Sequence, residues 1–238
     1  MINTVRNTVM AVLNKDNNGY ITPEEFNLFA KQAQLELFEE YFYDYNRWVI
    51  KRNSRLSNSG YTDIPKQLAE VIDTFTYESA ALGNVANVFT LPTNWYTLNT
   101  VLYSSTTKVE RVEQNKVYEL TSSHLTSPTT TYPAYVMDGA TATTVGNTIT
   151  VYPSTIGTGD ITVQYVRYPV DPKWTYNTVS GSPVFNESAA DYQDFELPLS
   201  DQNDLVLKIL QYAGINIRET EITTLAAQEE ATINQQES

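Results

Sequence analysis

The hydrophobic period of this chain changes twice, from helical to alternating and back, and that alone confines the folds open to it. From residue 2 to about residue 72 apolar side chains recur at spacings of three and four. Ile2, Val5, Val9 and Val12 fall on one face of a short helix over residues 2–13. Thr22-Pro23-Glu24-Glu25 then opens a long one. Thr22 caps, Pro23 takes the first helical position, and Glu25 completes a capping box. The stripe continues through Phe26, Phe29, Ala30, Ala33, Leu37, Tyr41, Tyr45 and Trp48 to about Arg55, widened by Leu35, Phe38, Phe42 and Val49. Tyr41, Tyr45 and Trp48 are expected to be buried, against the terminal helices or a neighbouring subunit. "SNSGYTD" ends the helix, and Pro65 begins another through Leu68, Val71 and Ile72.

From about residue 77 the period becomes two. "NVFTLP", "TLNTVLYS", "TKVERVE", "YPAYVMDG", "NTITVYP" and "DITVQYVRYP" read as strands, and "NKVYELTSSHL" as a short helix among them. "WTYNTVSGSPVFN" reads as a hairpin or ordered loop. After "LPLSD" the helical period returns, with Leu205, Ile209, Tyr212 and Ala213 on one face and Ser200 or Asp201 as the cap. Residues 219–235 make a last, acidic helix. The expected fold class is therefore α+β: a helical bundle built from N- and C-terminal helices, with an inserted antiparallel β-sandwich or barrel-like module. The expected parts are residues 1–63 (helical), 64–186 (β-rich) and 187–238 (helices returning to the first part). No internal repeat interrupts this layout.

Charge narrows the partners. The net charge is −13, and residues 1–56 balance at seven basic and seven acidic side chains, so the excess lies beyond them. Residues 187–238 alone hold two basic against 11 acidic. Such a chain lacks the basic footprint that grips a phosphate backbone. No apolar run approaches the roughly 18 residues of a membrane span. The polar opening "MINTVRNTVMAVLNKD" has no small-residue cleavage site, which predicts no signal peptide. The absence of cysteine excludes disulfides, thiolate metal sites and a cysteine nucleophile.

One stretch carries metal-ligand spacing. "NKDNNGYITPEEF" sets Gly19 at the sixth position of a twelve-residue calcium loop. Asn14, Asp16 and Asn18 then fall at positions 1, 3 and 5, Tyr20 at 7, Thr22 at 9 and Glu25 at 12. With only Asp16 and Glu25 as anions, and no second loop to pair with, any calcium site here is expected to be weak. The same residues suit turns and caps that join two helices, and this helix–loop–helix reading comes first.

Enzyme chemistry finds no foothold. His124 is the sole histidine, no G-x-S-x-G or Walker loop is present, and "GTGD" at 157–160 lacks the rest of a dinucleotide fingerprint. Glu24-Glu25, Glu39-Glu40 and Glu229-Glu230 read as solvated helix faces. Aromatics of the β-rich part read as strand packing before they read as a sugar groove.

"GNTITVYPSTIGTGDITVQYVRYP", a strand closing in Tyr-Pro and then one closing in Arg-Tyr-Pro, resembles the β module of phage head-to-tail connector proteins. These are the adaptor, or tail-tubular-protein-A-like, rings of short-tailed phages. "FTLPTNWYTLNTVLY", "SPTTTYPAYVMDG" and "LPLSDQNDLVLKILQYAGI" resemble that family's segments in the same order. "LNKDNNGYITPEEFNLFAKQAQLELFEEYF" resembles ring proteins of crAss-like phages. The resemblance implies a virion structural protein of the portal–tail junction, made in the host bacterial cytoplasm, with no catalytic residues and no cofactor. It implies a homo-oligomeric ring of about twelve copies, bound to the portal and other connector or tail proteins, through which DNA passes unbound. The alternative from the residues themselves is a calcium-binding helix–loop–helix interaction protein.

Overall fold

A computed structural model of the chain describes residues 1–14, 20–55, 63–138 and 147–217. In chain order its elements are helices α1 (Ile2–Asn14), α2 (Pro23–Arg55) and α3 (Asp63–Thr74), followed by strands β1 (Thr76–Glu78), β2 (Asn84–Val85), β3 (Val88–Thr90), β4 (Trp95–Tyr103) and β5 (Thr107–Arg111). Helix α4 (Gln114–Ser122) leads to β6 (Ala134–Asp138), β7 (Thr148–Tyr152), β8 (Ile161–Arg167), β9 (Tyr176–Val179) and β10 (Ser182–Phe185). A 3-10 turn at Leu199–Asp201 runs into α5 (Gln202–Ile217). The protein is thus mixed α+β, and it divides into two units, residues 1–71 with 169–238 and residues 72–168.

In the first unit α5 packs on both α1 and α2. Ile2, Val5, Val9 and Leu13 of α1 are fully buried, whereas Val12 is 39% exposed. At 100° per residue Leu13 lies about 20° from Ile2 around the helix and Val12 about 80°, so the face ends on Leu13 and the expectation for Val12 is corrected. Phe26, Ala30, Ala33, Leu37 and Phe38 are buried on α2, but beyond them Tyr41, Tyr45 and Trp48 are only half-buried. Helix α3 starts at Asp63 instead of Pro65. A proline in the first turn loses nothing there, because its N–H would have no intrahelical acceptor.

The second unit is an eight-stranded sheet in the order β1-β8-β4-β5-β6-β7-β3-β2. Leu82, Phe89, Val101, Val109, Ile149, Ile161 and Val163 share one core cluster. A flat sheet could not bring Phe89 of β3 and Val163 of β8 into one cluster, with four strands between them in that order, so this sheet curls. Three devices produce the curl. β4 carries two register shifts against β8, at Trp95/Thr97 and Leu98/Thr100, and such bulges sharpen twist. β5 pairs with β4 through Thr107–Val109 and with β6 through Glu110 and Arg111, so it changes partner along its length. The segment after β1 keeps to β8, with Ser79 N–H donating to Val163 O and Leu82 N–H to Ile161 O, before β2 pairs with β3 and β3 with β7. Only residues 79–83 separate the two end strands.

The β5–β6 pair is parallel, which corrects the expectation of a wholly antiparallel module. The 22 residues between these strands, α4 included, are long enough for the crossover that parallel pairing requires. Strands β1 and β2 were not expected. The hairpin β9–β10 lies in the first unit, although the boundary drawn at residue 186 placed it with the β-rich part.

Candidate functional site

The loop at 14–25 is read from its ends. Asn14 is the last residue of α1 and is exposed; Asp16 and Asn18 lie outside the described residues. Tyr20 and Thr22 are exposed. The anticipated capping box forms in full: Glu25 N–H donates to Thr22 Oγ1 (3.2 Å), while Thr22 N–H (2.9 Å) and Thr22 Oγ1–H (2.8 Å) donate to Glu25 Oε2. The Thr22 backbone N–H, and then its hydroxyl, hold the Glu25 carboxyl below its ordinary value. That carboxylate oxygen is therefore engaged in starting α2. Among the described residues, no three of His, Cys, Asp or Glu gather as a metal would need.

Sequence reading missed the anchor that holds residues 169–197 to the helices. Trp174, 2% exposed, lies at its centre. Its backbone N–H donates to Asn27 Oδ1 (2.8 Å), and Asn27 Nδ2 donates back to Trp174 O (3.2 Å). The indole N–H donates to Asn3 Oδ1 at 3.1 Å. The Arg6 guanidinium sits 3.8 Å from the ring centroid, while Tyr176 and Phe185 stack at 5.7 and 5.8 Å. Burial pushes the Arg6 guanidinium down from its ordinary value, and a hydrogen bond with Tyr20 works the other way. With its ring so engaged, Trp174 has no open face for a sugar.

Two polar clusters complete this part of the first unit. Lys208, buried on α5, places Nζ 3.3 Å from Glu36 and 3.4 Å from Glu40, and Tyr212 donates to Glu36 at 2.8 Å. Lys208 stands between Leu205 and Ile209 in the apolar stripe, the one sequence signal that it would be buried. Asp194 accepts from the N-terminal ammonium and from Ile2 N–H (both 2.7 Å), and from Phe195 N–H (2.8 Å). Burial pushes this carboxyl up, but those donors together outweigh it and leave the group below its ordinary value.

His124 is exposed in a turn, Glu24 and Glu39 face solvent, and Glu40 belongs to the Lys208 cluster. What the surface does offer is apolar. Leu125 is 95% exposed and Tyr132 80% on the ordered loop after α4, and Tyr43 is 67% exposed on α2. Among the described residues, no helix is long and apolar enough to cross a membrane. No family model matches the chain, and no curated protein matches it.

Proposed function

We propose that this chain is a ring-forming connector protein of a short-tailed phage, a virion component between portal and tail that contributes to the DNA conduit. One observation carries the reading: the segments that resemble the connector family fall, in chain order, on regular elements of both units. "FTLPTNWYTLNTVLY" covers β3 and β4, "SPTTTYPAYVMDG" leads into β6, "GNTITVYPSTIGTGDITVQYVRYP" covers β7 and β8, and "LPLSDQNDLVLKILQYAGI" covers α5. The division into a helical unit from both ends and a strand-rich insert supports the finer arrangement as well, a bundle of N- and C-terminal helices with an inserted sandwich- or barrel-like module. An acidic wall suits a conduit, because it would not hold the phosphates passing it.

Antibodies against the protein, applied to virions and viewed in negative stain, should label a ring at the vertex that joins head to tail. Labelling of tail fibres or capsid faces, or no labelling of the particle, would overturn the reading.

A further inference from the structure

The hairpin β9–β10 forms a sheet of only two strands, a size that is marginal unless more is packed against it. Its turn, Ser180-Gly181, has positive φ at both residues, the two-residue geometry that matches strand twist. The register fixes which backbone groups point outward. Val179↔Ser182 and Asn177↔Val184 alternate with Thr178↔Pro183 and Tyr176↔Phe185, and Asn186 N–H donates to Thr175 O at 2.9 Å. Pairs that exchange hydrogen bonds alternate with pairs that do not. Those flanking the turn exchange them, so the main-chain groups of Tyr176, Thr178, Pro183 and Phe185 face away from the hairpin.

The two outer edges then differ. On β10 the outward row is broken, because Pro183 has no N–H to give. On β9 the row begins at Trp174, whose N–H and C=O are both taken by the Asn27 amide acting as a strand would. It continues with Tyr176 and Thr178, whose outward groups meet no other described residue. The faces differ too. Tyr176 and Phe185 stack on Trp174, which fixes the base, while Val179 and Val184 on the opposite face are 56% and 49% exposed.

Charge selects the occupant. The first unit carries 11 basic against 21 acidic side chains, yet residues 174–186 carry none, its longest uncharged run. A basic partner would be drawn to the acidic surface. A like-charged partner can approach only where charge is absent, and in a ring the like-charged neighbour is the next copy. We propose that the outer edge of β9, with the Val179–Val184 face, takes an extended segment of a second copy of this chain. Pro183 and Asn27 confine the addition to one strand on one edge, so the contact does not propagate into an open sheet. This inference rests on the ring reading above.

The test follows amide hydrogen exchange across a series of protein and salt concentrations. As copies associate, the Tyr176 and Thr178 amides should slow at least tenfold, while those of Asn177 and Val179, bonded inside the hairpin, change little. Thr178→Pro removes one outward N–H without touching the internal bonds, and should raise the concentration needed for association at least tenfold with the circular dichroism unchanged. Val184→Glu tests the apolar face independently, and its defect should ease with salt. Association with unprotected Tyr176 and Thr178 amides, and unaffected variants, would overturn the inference and leave the ring reading standing. Protection that needs a different protein would overturn the choice of occupant. A chain that stays monomeric at every concentration and is absent from virions would overturn both.

Discussion

Replacing Asn27 by leucine keeps the volume of the side chain on α2 and removes both of its hydrogen bonds to the Trp174 backbone. Those bonds measure 2.8 and 3.2 Å, and Trp174 is almost wholly out of solvent, so water cannot readily replace them. A buried polar group left without its partner costs about 1–3 kcal/mol. Two such groups, one a donor and one an acceptor, put the loss at about 2–4 kcal/mol once the leucine's own burial is set against it. With a urea slope of about 2 kcal/mol per M, the unfolding midpoint of the first unit should fall by about 1–2 M at unchanged slope. Circular dichroism of the helices measures this directly. Asn27→Asp should keep the acceptor for Trp174 N–H, lose the donor to Trp174 O, and fall between wild type and leucine at high salt. A leucine variant within about 0.5 kcal/mol of wild type would refute the reasoning, since only neighbours or water re-satisfying both groups could explain it.

Four further outcomes follow. Lys208→Met keeps the buried stem but removes the ammonium that Glu36 and Glu40 share; because those carboxylates are partly exposed, the loss should be about 1–3 kcal/mol, below that of a fully buried pair, and read by thermal unfolding. Thr22→Ala removes the cap of α2 and should cost about 1 kcal/mol. Titration calorimetry on the same loop should show calcium binding no tighter than the sub-millimolar range, and micromolar binding abolished by Glu25→Gln would restore the calcium reading. Asp194 has a depressed pKa, so its stabilisation is complete above the ordinary carboxylate value and is lost as pH falls through the lower folded value. Asp194→Asn should therefore destabilise at pH 7 by about 1–2 kcal/mol, after discount for its one-third exposure, and the gap to wild type should close as pH falls through the lowered folded value.

Where the chain speaks locally, the sequence could be read. The capping box needs only four consecutive residues, and it forms as expected. β7 and β8 announce themselves because Ile149 and Val151, then Ile161, Val163 and Tyr165, alternate between a buried and a half-buried face. β1 is silent for the opposite reason. All three of its residues are exposed, so main-chain pairing with β8 holds it and no apolar alternation marks it. The parallel β5–β6 pair is hidden in the same way, since strand direction is set by the connection and not by the pattern of either strand. The Asn27–Trp174 ladder joins residues 147 apart, and nothing near Asn27 distinguishes it from a solvated amide. Of the proposed loop ligands, Thr22 and Glu25 meet as a cap, and Asp16 and Asn18 are outside the described residues.

The pairing of Thr76 with Val166 has a consequence for the order of events during folding. The first unit is interrupted by residues 72–168, so its N-terminal helices emerge from a ribosome long before α5 exists to cover them. Closing so long a loop from an unfolded insert carries an entropic cost that grows with the logarithm of its length. A folded insert whose ends are neighbouring strands behaves as a link of a few residues, which lowers that cost by about 2–3 kcal/mol. During refolding, pulse-labelled exchange should therefore protect the amides of Ile149 and Val163 before that of Ile209. The reverse order would mean that the helices find one another unaided. If the strands do lead, the insert is a template that delivers residue 169 to the place where residue 71 left off.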